Sequence, residues 1–237
     1  MSDSFIIYMQ TYKEGRIMTI LESIDQRHSV RQYKDIPIAP ETAEKLRALI
    51  SACNEESGLN FKLITDEPKA FDVFLAHYGK FKNAVNYIAL VGDKNIADLD
   101  EKCGYYGEKI VLEAQTMGLN TCWVAGTYSK KKSGISLNAG EKIVCVIAIG
   151  YGENQGVEHK SKPTEKLVKA DLNDAPDWFK AGVDAALKAP TALNQQKFVI
   201  TLEGDEAKIT TKGGAMTKLD LGIVKYNFEV ASGRAVN

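Results

Sequence analysis

Ile24-Asp-Gln-Arg-His-Ser-Val-Arg-Gln-Tyr33 is the stretch on which the reading of this chain turns. Before it, Ile20, Leu21 and Ile24 recur at helical spacing, which predicts a helix over Thr19 to Gln26. The helix stops at a polar and basic cluster, so Arg27, His28, Ser29 and Arg31 stand together at its end. Two guanidiniums, an imidazole and a hydroxyl within five residues suit an anion, because a guanidinium fork meets several phosphate oxygens in one plane. Alone, the same pentad could be a solvated basic helix end that complements the helix dipole.

Outward from the cluster, Ile36-Pro-Ile-Ala-Pro40 reads as an extended passage into a helix begun near Glu41, with Ala43, Leu46, Leu49 and Ile50 as its buried stripe. Phe61 to Thr65 reads as a strand, Lys69 to Ala76 as a helix, and the apolar run Asn86 to Val91 as a central strand. Asp98 to Met117 is a long, well-buried helix, with Gly118 as its C-terminal cap. Thr121 to Ala125 is a short strand running into Gly126, and Glu141 to Gly150 is the most apolar strand. Glycines 150, 152 and 156 tempt a dinucleotide reading. Their spacing is wrong for it, and no amphipathic helix follows them. In the last quarter, a helix at Ala175 to Lys188 leads through Ala189 to Gln196 to a hairpin, Phe198 to Leu202 and Ala207 to Thr211, and then to a helix at Leu219 to Ala231.

The chain echoes itself. Leu49 to Thr65, helix then loop then Phe-Lys-Leu-Ile-Thr, parallels Ala186 to Thr201, helix then loop then Lys-Phe-Val-Ile-Thr. A long helix follows each, Gly104 to Met117 and Asp220 to Ala231, which suggests a diverged duplication. The division is an N-terminal extension over residues 1–17, a first half over 18–165 and a shorter second half over 166–237.

Composition narrows the classes of partner. With 30 Lys and Arg against 31 Asp and Glu, a net charge of −1 gives no reason to expect nucleic acid or an anionic membrane. Any anion must be held locally. Cys53, Cys103, Cys122 and Cys145 fall in no metal-ligand spacing, and a chain of 237 residues needs no disulfide framework. The apolar run Ser4 to Met9 is too short to span a membrane and lacks the pattern of a secretory leader, so a cytoplasmic protein is expected. His28, His77 and His159 have no motif placing a nucleophile beside them, so no Ser/His/Asp triad is expected.

The opening stretch, followed by Ile36-Pro37, resembles the opening signature of the FMN-dependent nitroreductase family, in which such a cluster holds FMN. Gly107 to Gly118 followed by Leu119-Asn-Thr-Cys-Trp-Val-Ala-Gly126 resembles the family's central helix and the turn beside the flavin ring. Ile149-Gly-Tyr151, with His159-Lys-Ser-Lys162 close behind, resembles the basic tail that closes over the phosphate. The family's Pro-Ser-x-x-Asn-x-Gln segment is absent from its usual place, where Ala52-Cys-Asn-Glu-Glu-Ser-Gly58 stands. It occurs instead in the second half, as Ala189-Pro-Thr-Ala-Leu-Asn-Gln-Gln196. In typical members the partner subunit supplies this segment. The resemblance is therefore to an internally duplicated, single-chain pseudo-dimer branch.

That resemblance implies an α+β fold with a mainly antiparallel central sheet flanked by helices, and a site drawn from both halves. Arg27, His28, Ser29, Lys160 and Lys162 would hold the phosphate, with Arg31 nearer the N1/O2 edge of the ring, where positive charge favours the reduced flavin anion. The backbone of Ala125 and Gly126 would face N5, and Pro190, Thr191 and Asn194 the pyrimidine side; Lys80 would add a polar contact. Trp123 is expected as core beneath the site rather than a stacking partner. The activity implied is ping-pong hydride transfer from NADH or NADPH to a small electron acceptor such as a nitroaromatic, quinone, enone or flavin. A flavin-binding or flavin-delivery protein with little turnover is the alternative, and a ligand-free scaffold a third. The implied state is a monomer, with a homodimer through other surfaces left open.

Overall fold

The computed structural model describes residues 18–74, 76 and 79–236. The N-terminal extension over residues 1–17 lies outside the described residues, as does His77. Helix α1 (Ile20–Gln26) opens with a capping box, in which the Thr19 hydroxyl accepts from the Glu22 N–H and the Glu22 carboxylate returns to the Thr19 N–H. Helix α2 (Pro40–Ser57) starts on a proline and ends at Gly58, whose φ of 73° takes the left-handed cap.

Strands β1 (Lys62–Ile64), β2 (Tyr87–Asp93), β3 (Asn120–Val124) and β4 (Glu141–Gly150) form one sheet in the order β1-β2-β4-β3, every pair antiparallel. Both faces of its centre are covered. Ile88, Leu90, Ile147 and Ile149 point into the main core, while Tyr87, Ala89, Val91, Val146 and Ala148 join a second cluster with Phe71, Phe81 and Tyr128. Alternate residues thus serve opposite faces, and both faces are dry, which is why these strands read as apolar runs.

Helix α3 (Leu99–Thr116) packs on this sheet. The rest of the chain supplies β5 (Val168–Lys169), α4 (Asp177–Leu187), β6 (Phe198–Glu203), β7 (Glu206–Thr211) and α5 (Thr217–Ser232). β5 pairs parallel with β6, and β6 antiparallel with β7, in a second sheet. The order α2-β1-β2-α3 in the first part is matched by α4-β6-β7-α5 in the last. The main core runs through both, containing Leu46, Ile110 and Ile147 together with Phe179, Ile200 and Phe228. No helix among the described residues is long and apolar enough to cross a membrane.

Two expectations are corrected. Residues 52–57 are helical, because α2 runs to Ser57 with Cys53 in the core and Glu55 and Glu56 facing solvent. The first half therefore has only the short passage 58–61 where a loop is expected. The segment expected as a helix from Lys69 is turn through Phe71, and its described helical residues are Phe74 and Ala76. There the Glu67 carboxylate accepts from the Lys69 and Ala70 N–H groups at 2.9 and 3.0 Å, which closes a turn and seats Ala70 and Phe71 in the core.

Helices α3 and α5 cross with their backbones in contact. A Cβ at Gly104 would lie 2.0 Å from the Leu219 carbonyl oxygen, and a Cβ at Gly222 would lie 2.0 Å from that of Glu101. Each carbonyl belongs to the residue three positions before the facing glycine, so the contact is reciprocal. Gly104→Ala should destabilise the protein by about 2 kcal/mol or more in urea denaturation, overpacking outweighing the roughly 1 kcal/mol that alanine gains in helix propensity. Gly134→Ala is the control, since its nearest neighbour would be the Glu67 side chain at 3.7 Å. A Gly104→Ala midpoint equal to the control's would contradict the close crossing.

Candidate functional site

Arg27 caps the C-terminus of α1, and its extended backbone (φ −76°, ψ 117°) turns the chain along β3. Ser29 bridges Thr121 in parallel and the Val30 N–H donates to the Thr121 carbonyl at 3.0 Å. The basic cluster is thereby laid beside the strand that ends at Val124 and leads into Ala125 and Gly126. From the other side, α4 delivers Pro190 and the loop after it, and the first turn of α5 closes the space with Met216, Leu219 and Asp220. The result is a cavity of about 780 Å³.

Its wall contains Arg27, His28, Ser29 and Arg31 together with Ala125, Gly126, Pro190, Thr191 and Asn194. Segments far apart in sequence thus meet at one space. Lys80, Lys160 and Lys162 are not brought to this wall, although Gly79, next to Lys80, is. The Lys162 ammonium donates to the carbonyls of Gln195 and Gln196 at 2.5 and 3.2 Å, and it borders a separate depression with Lys166, Lys197 and Lys212. Lys160 takes part through its backbone, its carbonyl accepting from Asn194 at 2.9 Å and from Gln196 at 3.1 Å.

The loop holds itself in costly conformations. Leu193, Asn194, Gln196 and Met216 all have positive φ, between 42° and 63°, each an excursion worth of order 1–3 kcal/mol for a residue with a side chain. Hydrogen bonds over-determine it. The Asp220 carboxylate accepts from the Ala192 N–H at 2.8 Å and the Gln195 amide at 2.7 Å, and Thr191 Oγ1 accepts from the Gln196 N–H at 3.1 Å. Both ends of the Asn194 amide are engaged, since its oxygen accepts from Gln196 at 2.6 Å. Leu193 is left fully exposed at the wall (102 %), and Val157 nearly so (84 %).

Charge in the wall is arranged around Arg27, which is 4 % exposed. Its Nε lies 3.9 Å from Oε1 of Glu108, a carboxylate with no exposed surface on α3. That distance is an ion pair without a hydrogen bond, and Oε1 of Glu108 has no hydrogen-bond partner among the described residues. Its other oxygen accepts from the Trp123 indole N–H at 3.2 Å. Burial pushes the Glu108 carboxyl up to about 7, against the opposing pull of Arg27 and Trp123. Burial likewise lowers the Arg27 guanidinium, offset by Glu108, and lowers the His28 imidazole, helped by Arg27. Trp123, which lines the cavity, thus also serves as the donor that orients Glu108.

Sequence reading missed Glu108, Asp220, Val157 and Leu193. Glu108 carries a signal: Gly104, Gly107, Glu108, Val111, Leu112 and Gln115 are all buried, so a carboxylate stands inside the helix's buried stripe. Asp220 carries none, because an acid in the first turn of a helix is common for dipole reasons. Asp220→Ala should cost about 1–3 kcal/mol in denaturant unfolding, since it strips a backbone N–H and a part-buried amide of their acceptor. Amide exchange over 190–196 should quicken with it. Unchanged exchange there would contradict the anchoring role of Asp220.

A family model described as "Putative TM nitroreductase" matches residues 19–232. The chain resembles the crystal structure of a "putative nitroreductase" from Thermotoga maritima at 23 % identity, with a TM-score of 0.67 over 92 % of this chain and 85 % of that one. A "putative nitroreductase" in complex with FMN from Desulfovibrio desulfuricans is 20 % identical, with a TM-score of 0.52 over 65 % of this chain and 98 % of that one. A nitroreductase family protein from Streptococcus pneumoniae is 14 % identical, with a TM-score of 0.52 over 65 % of this chain and 100 % of that one. None of the curated proteins matches the chain. These likenesses are of fold, and they agree with the α+β architecture and antiparallel main sheet described above. With nearly the whole chain under the family model, and with the basic cluster, the β3 turn and the Pro-Thr-x-x-Asn loop around one cavity, the protein belongs to the nitroreductase family.

Proposed function

We propose that the chain is an FMN-dependent oxidoreductase whose flavin site is complete within one polypeptide. The observation that carries this reading is the meeting of Arg27, Ser29 and Arg31 with Ala125, Gly126, Pro190 and Thr191 around one cavity. Its volume falls within the roughly 300–1,000 Å³ of small-molecule and cofactor sites. The FMN-bound relative from Desulfovibrio desulfuricans lends support from fold.

The residues present fit the cofactor. Arg27 reaches the wall with an ion pair to Glu108 but no hydrogen bond to it, leaving guanidinium donors for a phosphate. Ser29 adds a hydroxyl, and Arg31, exposed at the same wall, adds a second fork. We place the ring against Ala125 and Gly126, where a Cβ on Gly126 would meet nothing within 4 Å, with Pro190 and Thr191 on its pyrimidine side. When bound, FMN supplies a ring that takes a hydride equivalent from NADH or NADPH and passes the electrons to a small conjugated acceptor. Leu193 and Val157 offer apolar contact to flat molecules entering the cavity, and in doing so exclude water from its mouth. Lys160, Lys162 and Asn194 act through the loop they hold in place, and Lys80 stays at the margin.

We further propose that the chain consists of two diverged half-repeats, acting as a pseudo-dimer. The matched helix-strand-strand-helix order and the reciprocal contact of Gly104 and Gly222 support this reading. On it, the first half keeps the arginines and the second keeps the Pro-Thr-x-x-Asn segment, so one chain needs no partner to complete one site.

Purified protein supplied with FMN should be yellow, hold one flavin per chain, and bleach anaerobically on addition of NADH or NADPH. Arg27→Ala should weaken FMN binding by about 10- to 100-fold, the scale of one hydrogen-bonded charge contact. Protein that stays colourless in excess FMN would overturn the assignment.

A further inference from the structure

We propose that Glu108 takes up a proton when the flavin phosphate docks on Arg27, so that FMN binding by this chain is proton-coupled. The proposal rests on the flavin reading above and deepens it. Arg27 stands between two sites for negative charge: the cavity, whose wall it forms, and Glu108, which lies behind it with no exposed surface and outside that wall. Arg27 is almost wholly buried beside Glu108, and one guanidinium cannot fully neutralise two anions, so a phosphate arriving from the cavity competes with Glu108.

The competition has a predictable loser. A phosphate monoester in an open cavity keeps contact with water and with Ser29 and Arg31, and its second ionisation falls near pH 6. Glu108 has no exposed surface, and among the described residues its ion-pair partner is Arg27 alone. Among the described residues only the Trp123 indole donates to it, and Oε1 has no hydrogen-bond partner. The proton therefore goes to Oε1 while Trp123 continues to donate to Oε2. Without phosphate, burial has already brought this carboxyl to about 7, and a dianion near Arg27 moves it further up.

Of the titratable groups around the pair, Tyr226 and Cys122 do not substitute for Glu108, and His28 is separated from it by the test below. Tyr226 from α5 and Cys122 from β3 both face it or Arg27, and burial raises both, so they stay protonated at pH 7–8. Burial and Arg27 lower the His28 imidazole, with Glu158 and His159 acting on it from the neighbouring loop; His28 also lines the cavity, where a phosphate would raise it. The sign follows. Below about 7, Glu108 is protonated in both free and bound protein, and affinity does not depend on it. Above about 7 the free protein has lost the proton that the complex holds, so the FMN dissociation constant rises with pH, by up to about tenfold per unit.

The test compares FMN with riboflavin, which lacks the phosphate, by flavin-fluorescence titration between pH 7 and 9. FMN binding to the wild-type protein should weaken across this range while riboflavin binding stays level. Glu108→Gln, which mimics the protonated acid, should bind FMN with no such slope and about tenfold or more tighter than wild type at pH 9. Calorimetry of the wild type at pH 8.5 in two buffers of different ionisation heat should find close to one proton taken up per FMN and none per riboflavin. If Glu108→Gln fails to fold, the same calorimetry on His28→Gln assigns the proton: uptake kept there supports Glu108, and uptake lost there overturns the proposal. Equal pH profiles for the two flavins, or no proton uptake with FMN, would overturn the coupling while leaving the flavin site intact. Failure of both flavins to bind at any pH would overturn the flavin reading and the coupling together.

Discussion

The crossing of α3 and α5 at Gly104 and Gly222 is the constraint on which the rest of the structure depends. Glycines at both crossing points let a backbone rest against a backbone, and nothing larger fits. Because α3 belongs to the first sheet and α5 follows the second, this one contact fixes the two parts of the chain to each other. The same crossing places the first turn of α5, with Leu219 and Asp220, in the cavity wall opposite the basic cluster. A residue with a side chain at either glycine would separate the halves of the site as it separated the helices.

Around the cavity, two kinds of cost are accepted. One is electrostatic: Arg27 and Glu108 are both buried, at a separation that gives attraction without a hydrogen bond, so desolvation is only partly offset. Such a pair contributes little to stability, but it leaves guanidinium donors free toward the cavity. The other cost is conformational, in the left-handed residues Leu193, Asn194 and Gln196. Asp220, Gln195, Gln196 and the 160–162 backbone hold that loop in place. Strain and burial of this kind, gathered at one cavity, fit the flavin site proposed there.

Much of this was legible in the chain. β2, β4 and α3 are strongly patterned, and their limits fall within a residue or two of those read from apolar periodicity. The cluster Arg27–Arg31 and the segment Pro190–Asn194 were visible as motifs, and their meeting followed from family resemblance rather than from spacing. The end of α2 was not legible, because Asn54, Glu55 and Glu56 look like loop until a helix presents the two glutamates to solvent and turns Asn54 to the Phe61 backbone. Nor were Lys160 and Lys162 readable in detail: a lysine's sequence position does not say whether its ammonium or its carbonyl does the work, and here one residue contributes each. Glu108 depends on a partner 81 positions earlier, a pairing that no local pattern specifies.

The central claim is that one chain supplies both sides of one flavin site. A crystal structure of the protein with FMN bound tests it most directly. The account predicts a flavin with its phosphate on Arg27 and its ring beside Gly126 and Pro190 of the same polypeptide. A flavin held between Arg27 of one chain and the 190–194 loop of another, or bound away from both, would contradict it.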